Sequence, residues 1–87
     1  MFSVYAIYNP ENNKIYIGQT KDLSVRLMMH NNKTFKGYTS QFTGKWEMVY
    51  SEEKSTREEA LRREKQLKSY RGREFVWNLV KLKFIPG

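Results

Sequence analysis

Apolar and polar residues alternate from the start of the chain. Phe2, Val4, Ala6 and Tyr8 fall on one face of an extended segment, and Ser3, Tyr5 and Ile7 fall on the other. A period of two predicts a β-strand over residues 2–8. Pro10, Asn12 and Asn13 mark a turn, and Lys14 to Gln19 continue as a second strand, so the pair reads as a hairpin. Asp22 suits an N-cap, with a short helix from Leu23 to His30 behind it. "NNKTFKGYTSQFTGK", residues 31–45, is polar and reads as a long connection, and Trp46 to Tyr50 form a third strand. Thr56 and Glu59 have the spacing of a capping box, which opens a helix running to about Tyr70. Gly72 interrupts, and Glu74 to Val80 form a last helix or turn before a basic, apolar tail ending at Pro86.

The order ββαβαα predicts an α+β fold: a three-stranded antiparallel sheet flanked by helices, in one domain over residues 1–87. A chain of 87 residues buries a small core, and without cysteine it has no disulfide or thiolate–zinc staple. Six Tyr, five Phe and two Trp must therefore carry the packing. No signal-peptide pattern opens the sequence and no apolar run approaches about 18 residues, so the expectation is a soluble cytoplasmic protein with no membrane partner. Sixteen Lys and Arg against nine Asp and Glu give a net charge of +7, which points to phosphate backbones as partners.

Several residues sit where packing alone does not ask for them. Ala60, Leu61 and Leu67 define the apolar stripe of the long helix, and Glu64 falls within it. A carboxylate on that face costs several kcal/mol, by general estimates, unless it is paired or holds a cation. The competing reading is an ordinary helix pair between Glu64 and Lys68, one turn on. In the first helix, Leu23 and Leu27 mark the buried side, while Arg26 and His30 stand one turn apart beside it. Arg presents a planar fork to phosphate oxygens and His can relay a proton, although a solvated basic edge would look the same.

The tyrosines depend on the hairpin. A loop of three or five residues puts Tyr8 opposite Tyr16 on one face, whereas a loop of four puts Tyr8 beside Ile15 and splits the tyrosines across the sheet. Turn chemistry leans toward the odd loops, because Asn13 tolerates the left-handed conformation of a three-residue loop. Gly18 then shares the face of Tyr16 and leaves a bare patch for close approach, or else marks a bulge.

"AIY" at 6–8, "YIG" at 16–18, "RLMMH" at 26–30 and "EALRREKQLK" at 59–68 together resemble the GIY-YIG nuclease superfamily. The small stand-alone domains similar to the N-terminal nuclease of excinuclease C, a DNA-repair enzyme, look nearest. The resemblance spans Val4 to about Val80. It implies a metal-dependent endonuclease that hydrolyses phosphodiester bonds of DNA, by nicking or in a structure-directed way, with one Mg²⁺ or Mn²⁺. It implies catalytic roles for Tyr8, Tyr16, Arg26, His30, Glu64 and Asn78, the last in "VWNLV". Glu64 would hold the metal, and Gly18 would be structural. Lys14, Lys21, Arg26, Lys36 and Lys68 are the expected nucleic-acid contacts. Ala6 departs from the first glycine of the family motif, and Gln19 follows the YIG where some relatives carry a lysine, so a base at that point comes from Lys21 or not at all. Targeting would fall to a partner protein, to self-association or to nucleic acid shape alone. The rival reading is a non-catalytic, basic nucleic-acid-binding module that keeps the fold.

Overall fold

The structure, a computed structural model, describes residues 1–34 and 37–85. Its elements are β1 (Phe2–Asn9), β2 (Lys14–Thr20), α1 (Leu23–Asn31), a 3-10 turn (Thr39–Gln41), β3 (Glu47–Lys54), α2 (Arg57–Leu67) and α3 (Tyr70–Phe84). The three strands form one antiparallel sheet in the order β2-β1-β3, and the expected α+β class and order of elements hold.

The central strand β1 is covered on both sides, as its run of buried residues from Val4 to Asn9 shows. Val4, Ala6 and Tyr8 join Ile15 and Ile17 against Ala60 and Leu67 of α2 and Val76 and Val80 of α3. On the opposite face Tyr5 and Ile7 pack with Trp46, and Tyr16, Leu23, Leu27, Phe42 and Met48 close around them. The alternation in β1 thus feeds two separate cores.

The caps follow the sequence. The Asp22 side chain accepts from the Val25 N–H, and Thr56 accepts from the Glu59 N–H at 3.2 Å. β3 runs past Tyr50 to Lys54 because an edge strand tolerates the polar stretch Ser51–Lys54. Leu61, expected in the buried stripe of α2, is 45% exposed; the stripe runs instead through Ala60, Glu64 and Leu67.

Gly72 does not interrupt a helix. Ser69 caps α3 by accepting from the Gly72 N–H, so the break falls before the glycine, and Gly72 lies in the first turn of a 15-residue helix. A Cβ at Gly72 would stand 2.2 Å from the Gln66 carbonyl oxygen and 2.4 Å from the Leu67 Cα. Both are backbone atoms that cannot rotate aside, so the glycine allows α3 to start directly against the end of α2. Gly72→Ala is expected to lower stability by at least about 1–3 kcal/mol, the usual range for overpacking, despite the better helix propensity of alanine. A melting curve checks this; an unchanged or raised melting temperature would show that the two helices do not abut in this way.

Candidate active site

The geometry of the site begins in the β-hairpin. Asn9 pairs with Lys14, so the loop holds four residues, 10–13. Tyr8 lies opposite Ile15 and Ile7 opposite Tyr16, which corrects the expectation of a three- or five-residue loop. The reason is the side chain of Asn9, fully buried, whose Oδ1 accepts from the Asn12 N–H at 3.1 Å while its Nδ2 donates to the Thr43 carbonyl at 2.9 Å. Asn13 does take the left-handed conformation, at φ 55, but as the last residue of a four-residue loop.

Tyr8 therefore leaves the expected cluster. It points into the α2–α3 core, with its ring 5.9 Å from Trp77 and 5.1 Å from Phe84, and its hydroxyl donates to Asn13 Oδ1. The first-strand tyrosine on the face of Tyr16 is Tyr5, in "SVY", which pairs with Gly18. Only 1% exposed, it bonds His30 Nε2 through its hydroxyl at 2.8 Å. A Cβ at Gly18 would lie 2.8 Å from that hydroxyl and 3.1 Å from the Tyr16 ring, so the bare position admits both tyrosines. His30, buried in the last turn of α1, bonds Thr39 Oγ1 through Nδ1 at 2.9 Å. Its ring is 5.0 Å from that of Tyr16, which is half-buried and more open to solvent than Tyr5.

Charge acts on this cluster from two sides. Burial and the neighbouring Tyr16 hold the Tyr5 phenol well above its ordinary value; Arg26 pulls it down and Glu64 pushes it up. Burial and Arg26 together lower His30 to about 4, so the imidazole is neutral at neutral pH. Tyr5 is then a neutral phenol bonded to a neutral imidazole, not a tyrosinate.

Glu64 reaches the site from α2. Its Oε2 accepts from Lys68 Nζ at 2.6 Å, the helix pair that the spacing allows. The carboxylate is 19% exposed, and its Oε1 has no hydrogen-bond donor among the described residues. No group of three or more His, Cys, Asp or Glu gathers into a metal cage among the described residues. One accessible carboxylate with an open oxygen suits a hard cation that keeps most of its water, so Glu64 fits the ion the fold family implies.

A groove continues from Arg26 along the start of α1, lined by Phe2, Gln19, Lys21, Asp22 and Arg57 among others. Lys21 also lies 5.4 Å over the Phe2 ring, and Lys14 lies 5.9 Å over Phe42. Arg57, the first residue of α2, makes no ion pair among the described residues. Its place in the groove depends on how α2 meets the β2–α1 corner, which no local motif announces. Asn78 stands apart: exposed on α3, it lines a separate groove with Tyr70, Arg73, Glu74, Trp77 and Lys81 that shares no residue with the tyrosine cluster. Lys36 lies outside the described residues.

Comparison with known proteins places the chain in a family. The GIY-YIG catalytic domain matches residues 1–85. UPF0213 proteins from two strains of Staphylococcus epidermidis are each 39% identical over 56 residues, covering 64% of this chain and 67% of their own length. No solved structure matches. Tyrosines on two adjacent strands, an arginine and a histidine on the next helix and a glutamate on the helix behind them lie within the matched span, and the chain belongs to the GIY-YIG family.

Proposed function

We propose that this domain is a divalent-metal-dependent endonuclease that hydrolyses phosphodiester bonds of DNA, nicking one strand at a time or acting on a particular DNA structure. The observation that supports it best is the hydrogen-bonded pair of Tyr5 and His30, seated with Tyr16 over Gly18, with the charges of Arg26 and Glu64, from different helices, both acting on the Tyr5 phenol. A packing device needs neither charge there. A phosphodiester needs a cation fork for its oxygens, which Arg26 can offer, and an oriented water, which a partly open tyrosine can position.

In this reading Arg26 binds the non-bridging phosphoryl oxygens. Tyr16, the more open of the two tyrosines, orients the attacking water, while the hydrogen-bonded Tyr5 and His30 pack against its ring and hold it in place. Glu64 holds one Mg²⁺ or Mn²⁺, which when bound polarises the scissile phosphate and stabilises the leaving 3′ oxygen. Lys21 and Arg57 bind the flanking backbone. Lys68, while paired with Glu64, competes with the ion for the carboxylate. The reading carries a cytoplasmic location with it, on the cysteine-free composition. Among the described residues no helix is long and apolar enough to cross a membrane.

The test is a cleavage assay on branched, single-stranded and duplex DNA with Mg²⁺, with Mn²⁺ and with chelator. Cleavage is expected with a divalent ion and lost with chelator. Binding without metal is expected to weaken steeply as salt rises, through release of condensed counterions. Tight, salt-sensitive binding with no cleavage of any substrate would make the domain a binding module instead.

A further inference from the structure

An aromatic ladder climbs from Tyr16 to the surface, and its outer rings, Tyr38 and Phe42, have no part in the reaction just described. Tyr16 stacks on Tyr38, with centroids 6.3 Å apart and planes at 22°. Tyr38 meets Phe42 edge-on at 5.1 Å, and Phe42 meets the buried Trp46 at 6.3 Å. The ladder therefore rests on the core at Trp46 and ends in solvent at Tyr38, which is 42% exposed. The Lys14 ammonium lies over Phe42 at its side, in a chain of net charge +7.

We propose that Tyr38 is a stacking platform for an unpaired nucleobase of the DNA strand, so that the substrate is single-stranded or locally unpaired beside the cleaved phosphate. The inference rests on the nuclease reading and adds the substrate class to it. A large aromatic surface left in water is a cost that a base face removes, and every base has such a face. The position matters as much as the ring. A base on Tyr38 lies one ring away from Tyr16, so its own phosphate falls within reach of the site. A base pair inside a duplex has both faces covered by its neighbours and cannot use the platform. Lys14 supplies the charge that the strand's phosphates require.

The test measures binding in chelator, so that cleavage does not interfere. Single-stranded oligonucleotides carrying 2-aminopurine are mixed with the wild-type chain, and labelled single-stranded and duplex DNA are titrated with wild type, Tyr38→Leu and Tyr38→Phe. Stacking is expected to quench the 2-aminopurine on binding. Tyr38→Leu is expected to weaken single-strand binding roughly ten- to a hundred-fold, with duplex binding unaltered and Tyr38→Phe close to wild type. Unquenched 2-aminopurine in a bound strand overturns the proposal, as does a Tyr38→Leu variant that binds single strands like wild type. Equal losses on single-stranded and duplex DNA also overturn it, because they place Tyr38 in the packing. A wild-type chain with no affinity for either form removes the nuclease reading itself, whereas one that binds and cuts but shows no Tyr38 effect removes this inference alone.

Discussion

Glu64→Gln is expected to reduce metal-dependent cleavage by about 10²–10³-fold, the scale seen when a group that stabilises transition-state charge is removed. The amide keeps the length and helix propensity of glutamate but removes the charge that would hold a cation. Binding of DNA in chelator should survive or tighten, because a negative charge has left a surface that faces phosphates. Stability should fall slightly, by no more than about 1 kcal/mol, because the Lys68 pair is lost and that pair is partly exposed. The sequence alone suggests the opposite sign for stability, since a lone carboxylate on an apolar stripe is a cost. The 2.6 Å contact with Lys68 reverses it. Melting temperature therefore does not distinguish a metal ligand from a structural pair here, and cleavage does. A variant that cuts like wild type would end the case for Glu64 as the ligand.

His30 should make the fold sensitive to mild acid. In the unfolded chain a histidine titrates near 6.5, by the usual reference value; in the fold, burial and Arg26 lower it to about 4. Between those values the unfolded chain holds the extra proton, so stability declines as pH falls from about 6.5 to about 4 and this contribution levels off below that. The size is on the order of 3 kcal/mol at the acid end. Carboxylates titrate in the same window: burial opposes the charge on Glu52, yet Tyr50, Arg63 and Lys54 hold its carboxyl below the ordinary range. The comparison with His30→Gln isolates the imidazole. Wild type should lose melting temperature more steeply than the variant over this window. Parallel curves would mean that the His30 ring is not buried neutral against Tyr5 and Thr39.

The local chemistry of the sequence carried most of the architecture. Asp22 and Thr56 cap the helices that their spacing assigns to them, and the alternation of residues 2–8 divides the strand between two cores as its period requires. Arg26 and His30 share a helix edge because a spacing of four allows little else. What failed was long-range or fine-grained. Tyr8 was expected where Tyr5 stands because the loop length hinges on Asn9, whose bonds reach Asn12 and Thr43; the second of these partners is 34 residues away. The sequence did hold one signal: Tyr5 lies on the face of β1 opposite to Tyr8, so finding either tyrosine with Tyr16 decides the other. Gly72 looked like a breaker because its neighbour in space, the end of α2, is not visible in a helix pattern. The 3-10 turn that brings Thr39 to His30 lies in a polar stretch with no periodicity to announce it.

The four-residue turn between β1 and β2 also sets which kinds of sequence change this family member can absorb. Tyr16 and Gly18 face α1 because Asn9 pairs with Lys14. Removing or adding one residue among positions 10–13, with the strand pairing kept, would rotate β2 by half a repeat. Ile15 and Ile17 would then be carried to the face of Tyr5 and α1, and Tyr16 and Gly18 would be buried against α2. Exchanging one turn residue for another disturbs no such parity. Insertions and deletions at this corner should thus be far rarer among working relatives than substitutions, and a relative that does carry one should restore the count with a compensating bulge in a neighbouring strand.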